Sequence, residues 1–167
     1  MLRFNTRGTT SPRGTSEGEY DGGVAERYDV AAAVAFARER GLPAPWLLGW
    51  SFGTELALKY GPDQAVEGAV LLSPPLHRTS AGELARWQGL GRRVVALIPE
   101  LDDYLRPDAA RAGFAPLPEA ELIAVEGGRH LWVGEPQVRR VLDEVAAVVA
   151  PGSAPLPTEV PDELVVA

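Results

Sequence analysis

Trp46-Leu47-Leu48-Gly49-Trp50-Ser51-Phe52-Gly53-Thr54-Glu55-Leu56-Ala57-Leu58-Lys59 reads as strand, sharp turn and helix in direct succession. The apolar run ends at Gly49, and good helix formers begin at Thr54. Between them the pattern Gly-x-Ser-x-Gly puts a serine in a turn too tight for large neighbours. Small residues on either side let strand and helix approach closely, and the turn lifts the serine hydroxyl above the sheet edge. A helix starting just after Ser51 directs its first amides and its positive dipole end towards developing negative charge. The backbone N–H of Phe52 is therefore the expected oxyanion donor, and Ser51 the expected nucleophile. The five-residue pattern alone arises by chance in many chains; its setting between a buried strand and a helix makes it specific.

Outward from this turn, short apolar runs alternate with amphipathic stretches, the signature of an α/β fold with a mostly parallel sheet and helices on both faces. The predicted strands are Leu2 to Phe4, Trp46 to Leu48, Ala69 to Leu72, Val94 to Ile98 and Leu122 to Val125. Continuous apolar runs suit strands covered on both faces. The predicted helices are Val24 to Arg40, stopped by Gly41 and Pro43, then Phe52 to Tyr60, stopped by Gly61-Pro62, and Pro136 to Val149 with a core-facing stripe. Gly8 to Gly23 reads as a long loop, with Arg7 and Arg13 available to an anionic substrate. Residues 1–150 are expected to form one domain. Residues 151–167, crowded with prolines, are expected to form a mobile tail.

A serine hydroxyl needs a base to take its proton, and the base needs a carboxylate to orient it. After a serine elbow the chain order should be Ser, then Asp or Glu, then His. Pro99-Glu100-Leu101-Asp102-Asp103 leaves one predicted strand, and Glu126-Gly127-Gly128-Arg129-His130-Leu131-Trp132 leaves the next. Exit loops on one edge of a parallel sheet can converge, so His130 is the expected base. The acid is open among Asp102, Asp103 and Glu100. His77 follows a strand but has no carboxylate on a strand-exit loop between it and Ser51; it is expected at the mouth of the site or in solvent. Trp50 and Trp132 are expected to contact substrate, although each suits a packing role equally.

Composition narrows the chemistry. With 167 residues the chain can bury about two-thirds of its unfolded surface in one core. A net charge of -7 argues against a sequence-independent grip on nucleic-acid phosphates. No cysteine and only two histidines argue against a transition-metal centre. No stretch approaches the roughly 20 apolar residues of a membrane helix, and the first residues lack a secretory leader, so a cytoplasmic protein without membrane partners is expected. No Gly-Lys-Ser/Thr phosphate loop and no G-x-G-x-x-G after a strand occur, so no nucleotide cofactor is expected.

These residues resemble the small, lidless α/β-hydrolases similar to dienelactone hydrolases and to bacterial hydrolases of unassigned substrate. The resemblance rests on Leu2 to Gly8, Ser16-Glu17-Gly18, Gly49 to Gly53, Ser73-Pro74-Pro75, Asp102 with Pro107, and Gly128 to Trp132. It implies a cofactor-free serine hydrolase acting on a small ester, thioester or related acyl compound. It also implies Asp102 as the acid, three residues after Pro99, which stands where relatives carry a strand-closing glycine. The chain departs from the pattern at its start. Relatives have earlier strands and a loop carrying a second oxyanion N–H, so the resemblance implies an N-terminally truncated fold, from a misassigned start or a fragment. The rival expectation is a non-catalytic α/β-hydrolase-like protein with a binding role.

Overall fold

The computed structural model describes residues 1–159. In chain order its elements are strands β1 (Thr10–Ser11) and β2 (Gly14–Thr15), helix α1 (Arg27–Glu39), β3 (Trp46–Trp50), α2 (Phe52–Tyr60), β4 (Gly68–Leu72), α3 (Ala81–Ala85), β5 (Arg93–Pro99), α4 (Pro107–Gly113), β6 (Glu121–Val125) and α5 (Glu135–Val149). A four-stranded sheet runs β3-β4-β5-β6 with every pair parallel. Parallel neighbours need crossover connections, and the helical stretches between the apolar runs supply them. The central strands behave as the apolar reading predicts: β4 is buried throughout and β5 is buried from Val94 to Pro99. The outer strands β3 and β6 are only partly covered.

The chain divides into two compact units, Met1–Leu131 and the residues from Trp132 onward. In the first, α2 packs on β3 and β4, α4 packs on β5 and β6, and α1 lies against α2. Leu58, Leu71, Leu84, Trp87, Ile98 and Phe114 belong to its core. The Trp87 indole N–H donates to the carbonyl of Leu58 at 2.9 Å, which satisfies the one polar atom of that side chain. The second unit holds α5 and the segment 151–159. Two side chains of α5 bind that segment back. Leu156 N–H donates to Asp143 Oδ1 at 2.9 Å, and the Arg139 guanidinium donates to the carbonyls of Leu156 and Pro157. The rest of the expected tail, 160–167, lies outside the described residues. The stripe of α5 is buried at Ala146 and Val148, whereas Val138 and Leu142 stay exposed.

The N-terminal strand expected over residues 2–4 is absent. Leu2 and Phe4 are exposed, and the backbone there joins no sheet. A strand needs a neighbour for its amides and carbonyls, and the next residue with strong tertiary ties, Arg7, is fastened to a helix instead. Its backbone N–H and its guanidinium both bind Asp29 of α1, at 2.9, 3.1 and 2.9 Å. Burial favours the neutral carboxyl of Asp29, but the Arg7 hydrogen bonds outweigh it and hold the group below the usual aspartate range. Arg7 is thus committed to structure rather than available to an anionic substrate. The loop after it folds into the β1–β2 hairpin, with Thr10 opposite Thr15. Helix α4 has no counterpart among the predicted elements, because Ala110 is its one buried residue and no apolar stripe announces it. Pro107 occupies its first turn, where the missing N–H costs nothing.

Candidate active site

Ser51 stands between β3 and α2 with φ 50° and ψ −119°. Such a conformation is costly for a residue with a side chain, and one that persists must be held by its surroundings. Three hydrogen bonds hold it. Ser51 N–H donates to Leu72 O at 2.9 Å, and Ser51 O accepts from the Thr54 N–H at 2.9 Å and from Thr54 Oγ1 at 2.6 Å. The two glycines of the motif are not equivalent. A Cβ on Gly49 would meet Gly53 O at 2.4 Å and Thr54 N at 2.6 Å, whereas a Cβ on Gly53 would meet nothing within 4 Å. Close approach of strand and helix therefore requires Gly49 alone. Phe52 opens α2, and the first amides of a helix have no partner inside it.

The exit loops of β5 and β6 are stitched together before they reach Ser51. Glu100 N–H donates to Val125 O at 3.0 Å, Leu101 N–H to Gly128 O at 2.9 Å, and Gly127 N–H to Glu100 Oε2 at 2.8 Å. Gly127 takes φ 64°, a left-handed turn that suits glycine. Asp102 and His130 face each other as a result. His130 Nδ1 lies 3.0 Å from Asp102 Oδ2, and His130 Nε2 lies 2.9 Å from Ser51 Oγ. A carboxylate can only accept, so Nδ1 carries the proton and Nε2 is left to accept from the Ser51 hydroxyl. Asp102 is 2% exposed and His130 8%. The other carboxylate oxygen, Oδ1, accepts from the Tyr104 N–H at 2.7 Å and the Leu105 N–H at 3.3 Å. The remaining acid candidates lie apart: Asp103 is exposed, and Glu100 binds the Gly127 amide.

The fold has counterparts among solved structures. An α/β serine hydrolase homologue from Coxiella burnetii is 23% identical, with a TM-score of 0.74 over 89% of this chain and 68% of that one. A lidless α/β serine hydrolase from Xanthomonas campestris is 23% identical, with a TM-score of 0.67 over 87% of this chain and 62% of that one. The chain has the α/β-hydrolase fold. An esterase from Pyrococcus furiosus shares this α/β-hydrolase architecture at 17% identity and a TM-score of 0.61, over 81% of this chain and 64% of that one. The chain thus spans about two-thirds of the length of these structures. No family model and no curated protein sequence matches it.

The two tryptophans of the site region differ in exposure. Trp50 is 47% exposed, and its indole N–H donates to the His130 carbonyl at 2.9 Å. Trp132 is only 6% exposed, which leaves little of its ring for a ligand. The open ring beside His130 is Tyr104, 57% exposed and edge-on to His130 at 4.6 Å between centroids. His77 is exposed and stacks edge-on against the same tyrosine at 5.6 Å. Tyr104 has no part in the sequence reading, although its place two residues after Asp102 is a usable signal. Nor has Glu26, a wholly buried carboxylate that accepts from the amides of Asp21 and Gly23, each at 2.8 Å. Those bonds hold the end of the long loop beside the turn: Tyr20 stacks on Phe52, and a Cβ on Gly23 would meet the Phe52 ring at 3.4 Å. Among the described residues no group of three or more His, Cys, Asp or Glu could hold a metal ion, and no helix is long and apolar enough to cross a membrane.

Proposed function

We propose that this chain is a serine hydrolase that cleaves a small carboxylic ester, thioester or related acyl compound. The observation that carries the reading is the continuous hydrogen-bond chain from Ser51 Oγ through both nitrogens of His130 to Asp102, with the serine on a left-handed turn ahead of a helix. Ser51 Oγ attacks the acyl carbon as its proton passes to His130 Nε2, and Asp102 stabilises the imidazolium that forms. The carbonyl oxygen takes up the negative charge and faces the Phe52 N–H at the positive end of α2. His130 returns the proton to the leaving group, which departs and leaves an acyl-Ser51. Water then attacks with His130 again as base, releasing the acid and free Ser51. These steps call on no cofactor.

Substrate size follows from the surroundings. Only the short helix α3 lies between β4 and β5, so that connection carries no large cap. Trp50 and Tyr104 offer partly open rings for a short acyl or alcohol group. The test is hydrolysis of p-nitrophenyl esters of increasing acyl length by wild type and by Ser51→Ala. Activity on the shortest esters, declining with length and lost in Ser51→Ala, is expected. Equal rates in the two proteins would refute the reading.

A further inference from the structure

The carbonyl of His130 accepts two hydrogen bonds from side chains remote in sequence. The Trp50 indole N–H reaches it at 2.9 Å and the Ser73 hydroxyl at 3.0 Å. We infer that Ser73 and Trp50 are positioning residues that clamp the backbone of the base, setting the reach of His130 Nε2 to Ser51. This rests on the reading of Ser51 and His130 as nucleophile and base.

Topology explains why a clamp is needed. Ser51 follows β3 at one edge of the sheet, and His130 follows β6 at the other, with β4 and β5 between. The backbone bonds of the histidine loop join it to the β5 side, through Glu100 and Leu101. The His130 carbonyl is tied instead to the β3 and β4 side. Trp50 is the residue before the nucleophile, and Ser73 is the residue after β4. A shift of the base loop away from Ser51 must therefore break bonds to the nucleophile's own neighbours.

Ser73 carries the second sign of a placed residue. It is buried, with φ 51°, a left-handed conformation that disfavours any side chain. Its N–H is held by Leu97 O at 3.0 Å, which anchors it across β5. Glycine would fit that backbone more cheaply, yet a serine stands there and its hydroxyl is spent on His130. Strain of this kind persists where the surroundings over-determine it.

The experiment compares Ser73→Ala, Ser73→Gly, Trp50→Phe and the double variant Trp50→Phe/Ser73→Ala. Two readouts apply: the rate of fluorophosphonate labelling at Ser51, and the far-downfield proton resonance of the His130 Nδ1–H held by Asp102. Each lost donor should slow labelling about three- to tenfold, the range of one hydrogen bond. The double variant should lose more than the product, because it leaves a carbonyl with neither partner. The Nδ1–H resonance should broaden or move in the same order. Ser73→Gly separates hydroxyl from strain: slowed labelling supports the clamp, while labelling at or above the wild-type rate overturns it. An unchanged resonance in Ser73→Ala and Trp50→Phe, in folded protein, also overturns it. If wild type itself never labels, the hydrolase reading falls, and the resonance alone decides the clamp.

Discussion

Two loop systems meet near Ser51, and they are held by different means. The loops after β5 and β6, which carry Asp102 and His130, are joined by backbone bonds, Glu100 to Val125 and Leu101 to Gly128, which most substitutions leave intact. The long N-terminal loop hangs on single side chains: Arg7 on Asp29, the Glu26 carboxylate on two amides, and the Tyr60 hydroxyl on the Gly23 carbonyl. Backbone stitching makes geometry insensitive to residue identity, whereas side-chain anchoring makes it depend on a few residues. Asp102 and His130 therefore sit in the less sensitive system, apart from the Trp50 and Ser73 side-chain bonds to the His130 carbonyl, and the wall beside Phe52 sits in the sensitive one.

The sharpest way to break that comparison lies inside the stitched system. Asp102→Asn removes the acceptor that sets the histidine tautomer, and kcat should fall by about 10⁴-fold. Asp103→Asn, one residue on, should change kcat by less than about twofold, since exposed substitutions away from special features are close to neutral. Comparable losses in both would show that the loop, rather than Asp102, matters. Next in size is the turn. Gly49→Ala forces a Cβ to within 2.4 Å of Gly53 O and should destabilise the fold by about 3 kcal/mol or more in chemical denaturation. Gly53→Ala should cost under about 1 kcal/mol, because its Cβ enters open space.

In the sensitive system, Glu26→Ala strips two amides of their acceptor and should destabilise the protein by about 2 kcal/mol. Amide exchange at Asp21 and Gly23 should rise with it, while the amides of Leu101 and Gly128 keep their protection. A uniform rise would contradict the division into two systems. The smallest effect concerns acid. Asp29 is held below its ordinary range by Arg7, so the tie is complete above the ordinary aspartate pKa and is lost as pH falls through the lower, folded value. The Arg7 amide proton should therefore begin to exchange faster only at strongly acidic pH. In Asp29→Asn that dependence should vanish.

The sequence discloses the two systems unequally. The Gly49 to Gly53 turn and the order Ser51, Asp102, His130 can be read because they depend on local spacing and strand-exit loops. Asp102 could be separated from Asp103 only by resemblance, since neighbouring aspartates in a loop look alike until one is buried. The Trp50 and Ser73 contacts with His130 left no signal, because side-chain bonds to a distant carbonyl carry no periodicity. Apolar content marks residues 2–4 as a strand but says nothing about whether a neighbouring strand is there to pair. Helix α4, rich in alanine with one buried residue, lacks the periodic stripe by which helices are recognised.

The central claim is that Ser51 is an activated nucleophile, and intact-protein mass spectrometry after fluorophosphonate treatment tests it most directly. A single adduct that maps to Ser51 and disappears in His130→Ala and in Ser51→Ala is predicted. A folded wild-type protein that gains no mass, or an adduct that survives in Ser51→Ala, would contradict it.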